Sequence, residues 1–142
     1  MPPMSLAAQE VTMNTKHLLI LGASMLASTL GASATAQVTQ GQYIQLAEIE
    51  IDPAQLEAYK AAVQEHIETA VRVEPGVLAL YAVSDKDNPT QVKVFEIYRD
   101  VEAYKSHLES QHFKKYKATT ETMVKSLKLV RTDAIALAAK TR

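Results

Sequence analysis

Three of the four histidines, His66, His107 and His112, lie in or beside one stretch of this sequence, Glu74 to Tyr116. A neutral imidazole, with an ordinary pKa of about 6.5, is suited to take a proton from a bound hydroxyl near neutral pH. His66 borders the apolar stripe of a predicted helix, three residues after Val63 and seven after Tyr59. It reads either as a boundary histidine with a packed ring or as a base at the mouth of a pocket. His107 follows Tyr104 by three residues and precedes Leu108, at the edge of a second apolar stripe; a solvated helix histidine is the competing reading. His112 opens a third helix, where holding the turn is the alternative role. Glu96 stands between Val94 and Tyr98 on one strand face that must be covered. A carboxylate there has to be paired, hydrogen-bonded or protonated, so its pKa is expected to rise. It is either a structural acceptor or a general base. Tyr81 and Tyr98, on adjacent predicted strands, add two hydroxyls that could line the same cavity.

The elements that must position these groups follow from periodicity. Residues 43–51 alternate, with Gln45, Ala47, Ile49 and Ile51 on one face and Ile44, Leu46, Glu48 and Glu50 on the other, which predicts a strand. Asp52-Pro53 is a helix start, and Leu56, Tyr59, Val63, Ile67, Ala70 and Val71 carry that helix to about Val73. Glu57 with Lys60 and Glu68 with Arg72 are expected to pair on its exposed side. Pro75-Gly76 is a turn, followed by strands over 77–83 and 91–98 around the polar turn at 84–90. In the first of these, Val77, Ala79, Tyr81 and Val83 are expected to share one face. Asp100 is a predicted N-cap for a short helix with Val101, Tyr104 and Leu108 inward. A third helix is expected over 112–126 and a fourth strand over 127–137. The order β-α-β-β-α-α-β predicts an α+β, ferredoxin-like split βαβ with a four-stranded antiparallel sheet. Helices can cover only one face of that sheet, and the second apolar face is expected to meet its copy in a homodimer.

The ordered set Glu74, Pro75, Gly76, Glu96, His107, Leu108, Ser110, His112 and Phe113 resembles the antibiotic biosynthesis monooxygenase family. There the pattern runs E-P-G, strand, turn, strand with E-x-W, helix ending in H-L, then S-x-H-F. The resemblance extends more loosely over 43–137. It implies a dimeric α/β barrel and oxidation of a quinol or other electron-rich phenol by O2, with no prosthetic group. The catalytic candidates are then His107, His66 and Glu96, with Tyr81, Tyr98, His112 and Tyr116 lining the substrate site. Tyr98 departs from the pattern, standing where many members carry Trp; the chain has no Trp at all. Haem-degrading relatives rely on that Trp. Other relatives isomerise small sugar-like compounds, and a non-catalytic dimer that captures a small aromatic molecule would use the same pocket.

Composition narrows the remaining classes. The formal net charge of −1 gives no electrostatic reason to expect nucleic acid or an anionic membrane as partner. With no Cys there is no disulfide, thiol nucleophile or thiolate metal site. The four glycines form no phosphate-cradling loop, and no G-x-S-x-G is present. His107 and His112 lack the i, i+4 spacing of a helical zinc pair, so no metal site and no cofactor are expected. At the N-terminus, Lys16 and His17, the apolar run 18–30 and Ala34-Thr35-Ala36 fit a signal peptide over 1–36, cleaved after Ala36. Met13 is a possible true start, because Glu10 opposes the basic region. The apolar run is short for a bilayer span, so a periplasmic or secreted domain over 37–142 is expected, with no stable membrane anchor.

Overall fold

A computed structural model describes residues 41–140 of the chain. The expected signal peptide and its cleavage site lie outside the described residues. Strand β1 (Tyr43–Ile51) leads through Asp52 into a 3-10 turn (Pro53–Gln55) and helix α1 (Leu56–Val73). The Asp52 carboxylate accepts from the Ala54 amide at 2.9 Å, occupying one of the amide donors that a helix start leaves without a partner. Helix α1 buries Tyr59, Val63, His66 and Ala70, a spacing of three and four that keeps one stripe on the sheet. On its outer side Lys60 pairs with Glu57, whereas Glu68 accepts from Gln64 rather than pairing with Arg72.

Strands β2 (Val77–Ser84) and β3 (Gln91–Tyr98) form the hairpin, and helices α2 (Val101–Glu109) and α3 (Gln111–Thr120) return the chain to β4 (Val124–Thr132). The sheet is antiparallel with strand order β2-β3-β1-β4, the α+β split βαβ arrangement predicted from the element order. Two apolar clusters hold the helices to one face. One joins Ala47, Ile49, Ile51, Val92 and Val94 to Tyr59 and Val63; the other joins Val77, Leu80 and Tyr98 to Ala70 and Ala103.

Three expectations about faces and ends are corrected. A register shift between Val77 and Ala79 turns Val77 to the helix side, opposite Tyr98, while Ala79 and Tyr81 pair with Ile97 and Phe95. Val77 therefore does not share a face with Tyr81. Helix α2 is rotated from its predicted stripe: Val101 is exposed, and Ala103 and His107 are the buried residues. The close approach of Gly76 draws that face inward, since a Cβ on Gly76 would lie 2.5 Å from the Ala103 Cβ. Helix α3 stops at Thr120 instead of continuing to Ser126, and β4 begins at Val124 rather than Leu127. The run Thr119, Thr120, Thr122, Val124 is rich in β-branched residues, which favour strand over helix. Met123 joins the two by accepting from the Asp52 amide while donating to the Thr120 carbonyl.

Candidate functional site

Between α1, α2, α3 and the sheet lies a cavity of about 160 Å³. His66 and His107 reach it from α1 and α2, Phe113 and Tyr116 from α3, and Glu96 and Tyr98 from β3. Apolar side chains such as Ile49, Val94 and Leu108 complete much of the wall. Packing both helical stripes over one sheet face brings the rings together. The His66 and His107 centroids are 5.1 Å apart, and His66 stacks on Tyr116 at 4.7 Å.

His107 is buried more deeply than the edge of an apolar stripe implies, at 2% exposure. It packs against the rings of Tyr98 at 5.2 Å and Phe113 at 5.1 Å. Its Nδ1 lies 2.8 Å from Glu74 Oε1. An ionised carboxylate only accepts, so in that state the ring hydrogen is on Nδ1 and the lone pair on Nε2. Burial holds the His107 pKa below its ordinary value, a charge-disfavouring effect that the Glu74 hydrogen bond partly opposes. His66 is pushed down further, to about 4, by burial and by the two neighbouring histidines. Its Nδ1 is buried without a hydrogen-bond partner among the described residues. Both rings are therefore neutral at pH 7.

His112 makes contacts of a different kind. Its Nε2 also meets Glu74 Oε1 in a short contact and lies 3.1 Å from Ser110 Oγ. Ser110 caps α3 by accepting from the Phe113 amide and donates to the His107 carbonyl, tying the end of α2 to the start of α3. Glu74 itself ends α1, its amide donating to the Ala70 carbonyl. Inspection of the chain for buried charge does not single out Glu74, because it precedes a turn where an exposed residue is ordinary. The signal that could have found it was its place in the E-P-G element next to a late-helix His and S-x-H-F.

Glu96 behaves as its strand position predicts. Burial raises its pKa, against the hydrogen bonds from Tyr98 at 2.8 Å and Gln45 at 3.5 Å. Tyr98 is fully buried, with its phenol pKa raised by desolvation and by Glu96. Tyr116 shares a hydrogen bond of 2.9 Å with Tyr59 and is also raised by burial. Tyr81 is not brought into this group: it is 59% exposed on the sheet face opposite the helices. The cavity's second hydroxyl at that end is supplied instead by Tyr104, which stacks on Tyr43 at 4.0 Å.

The chain's neighbours agree with this architecture. A family model described as antibiotic biosynthesis monooxygenase matches residues 42–119. A candidate antibiotic biosynthesis monooxygenase from Bacteroides thetaiotaomicron is 45% identical, covering 72% of this chain and 97% of that one, with a TM-score of 0.68. A candidate monooxygenase from Lactobacillus acidophilus is 30% identical over 68% of this chain and 48% of its own, with a TM-score of 0.63. One from Nitrosomonas europaea shares the fold at 22% identity, a TM-score of 0.65, and coverage of 71% of this chain and 98% of that chain. None of the curated proteins matches.

Proposed function

This chain belongs to the antibiotic biosynthesis monooxygenase family, and from that premise we propose that it oxidises a single-ring quinol or electron-rich phenol with O2. The observation that carries the reading is the cavity: about 160 Å³, walled by aromatic and aliphatic side chains, with neutral imidazoles at its edge. A dry apolar cavity of about 150 Å³ accommodates benzene, so one ring fits and a fused polycycle requires the walls to move.

In this reading His107 Nε2 takes the substrate hydroxyl proton while Glu74 holds the ring by Nδ1–H. The imidazolium that forms is stabilised by the same carboxylate. The phenolate is electron-rich enough to react with O2 directly. For a quinol, one oxygen atom enters the ring, the other leaves as water, and the substrate supplies all four electrons as it becomes a hydroxyquinone. Tyr98 and Glu96 orient the ring from the sheet, and Phe113 and Tyr116 from α3. Export with cleavage of a signal peptide and a homodimer joined through the open sheet face complete the proposal. Apolar side chains left exposed on that face, Tyr81 at 59% and Val83 at 61%, favour the dimer; a stable monomer in sedimentation at micromolar concentration removes it.

The test is oxygen uptake by the purified chain with single-ring quinols, without added flavin or nicotinamide. Uptake matching product, lost in His107→Ala, supports the reaction. Saturable quinol binding with no uptake replaces it by capture of a small aromatic molecule.

A further inference from the structure

We propose that Glu74, His107 and His112 form a binding site for one divalent transition-metal ion such as zinc. One donor atom from each (a ring nitrogen of His107, a ring nitrogen of His112 and a Glu74 carboxylate oxygen) lies within 4.8 Å of the other two. Each comes from a different element: the end of α1, the last turn of α2 and the first turn of α3. Each backbone is also fixed, by the hydrogen bond that the Glu74 amide donates to the Ala70 carbonyl and by Ser110 bridging the two short helices. A zinc ion about 2.0–2.2 Å from nitrogen and oxygen ligands in a tetrahedral array spaces those ligands roughly 3.3–3.6 Å apart. The His107–Glu74 separation of 2.8 Å is shorter than that, so the Glu74 carboxylate must draw back to admit the ion. Two imidazoles with one carboxylate suit zinc and its first-row neighbours, whereas calcium and magnesium prefer oxygen.

A second observation points to the same place. His66 is 8% exposed and its Nδ1 has no hydrogen-bond partner among the described residues. Its ring lies 5.1 Å from that of His107 and 5.6 Å from that of His112. Three protein ligands leave a fourth position for water, and a water held there can donate to this nitrogen. The side chains of Glu74 and His112 are 15% and 17% exposed, so an ion has a way in from the surface. The alternative is a carboxylate that merely bridges two imidazole N–H groups.

One consequence rests on the proposed reaction, although the site itself does not. Ligation through Nδ1 displaces its proton and leaves the ring hydrogen of His107 on Nε2. The lone pair needed as a base is then gone, so metal loading slows turnover.

The experiment titrates the metal-stripped full chain with Co2+, followed by visible absorption and calorimetry. The native chain, Glu74→Gln and His112→Ala are compared, with circular dichroism as a check on folding. One ion per chain with d–d bands is expected, at least about tenfold weaker in each variant. No saturable binding in the native chain, or an affinity equal to the native chain's in both variants, overturns the site. Should Glu74→Gln fail to fold, His112→Ala decides, because that side chain is partly exposed at a helix end. Cobalt binding by a chain that shows no oxygen uptake even when metal-free keeps the site and discards the reaction; uptake without cobalt binding does the reverse.

Discussion

Glu74 and Glu96 are two carboxylates withdrawn from solvent near the same cavity, and their partners differ in kind. Glu96 lines the cavity and accepts from neutral donors, the Tyr98 hydroxyl and the Gln45 amide. Glu74 sits behind His107 and meets two imidazoles. Neutral donors compensate a buried charge only in part, so desolvation wins and the Glu96 pKa rises. An imidazole can share or surrender a proton, so the Glu74 region can change state where the Glu96 region mostly holds shape. In the proposed reaction the difference separates a wall that would orient a ring from a support that would set which nitrogen of the base is free.

The contrast breaks most visibly at His107. Replacing it with Ala removes the base and leaves Glu74 with His112 alone. Turnover is expected to fall by about 10²–10⁴-fold with far-ultraviolet dichroism retained. An unchanged rate would transfer the proton-accepting role away from this region. Next in size are the two carboxylates. Glu74→Gln keeps the shape but cannot balance an imidazolium, so kcat is expected to drop roughly 10–100-fold, the range seen when a histidine's outer partner is lost. Glu96→Gln preserves the acceptor oxygen for Tyr98 and is expected to alter KM more than kcat. Equal kcat losses in both would erase the distinction drawn between them.

A smaller effect is structural. Gly76→Ala places a methyl 2.5 Å from the Ala103 Cβ, so α2 must shift. A destabilisation of about 1–3 kcal/mol, measured by urea unfolding, is expected. If α2 moves, His107 moves with it, and turnover should suffer although no chemical group has changed.

The last predicted effect concerns pH. His66 has a folded pKa of about 4, below its ordinary value. Between those two values the unfolded chain binds more protons than the folded one, so stability rises with pH there. The contribution is fully present above about pH 6.5 and is lost as the pH falls towards 4. His66→Phe keeps an aromatic ring beside Tyr116 and removes the titration, so the native chain should lose more stability over that interval than the variant does. Parallel curves would assign the acid sensitivity to other groups.

Much of the fold was legible because its signals are local. Asp52 and Asp100 announce two helix starts, and both carboxylates do accept the expected amides. Alternation in 43–51 and 91–98 and the three-four spacing in α1 need no distant information. The termini of α3 and β4 were less legible, because a run of threonines near the end of a helix can be read either way until packing decides. His66, His107 and Glu96 were visible as polar groups interrupting or bordering apolar faces.

The sequence by itself determined the element order, the apolar stripe of α1 and the chemical types available to a site. Only the tertiary structure decided which of those types meet. A register shift of one position between Val77 and Ala79 separates the face of Val77 from that of Tyr81, a change that alternation alone cannot foresee. Tyr81 is excluded from the cavity because it points to the opposite side of the sheet from Glu96. Glu74 meets His107 and His112 because α2 and α3 fold back over the end of α1, bringing together residues 33 and 38 positions apart. Periodicity reports the direction of a side chain relative to its own element; the partner it finds depends on how separate elements pack, and burial then sets the proton affinity of each group.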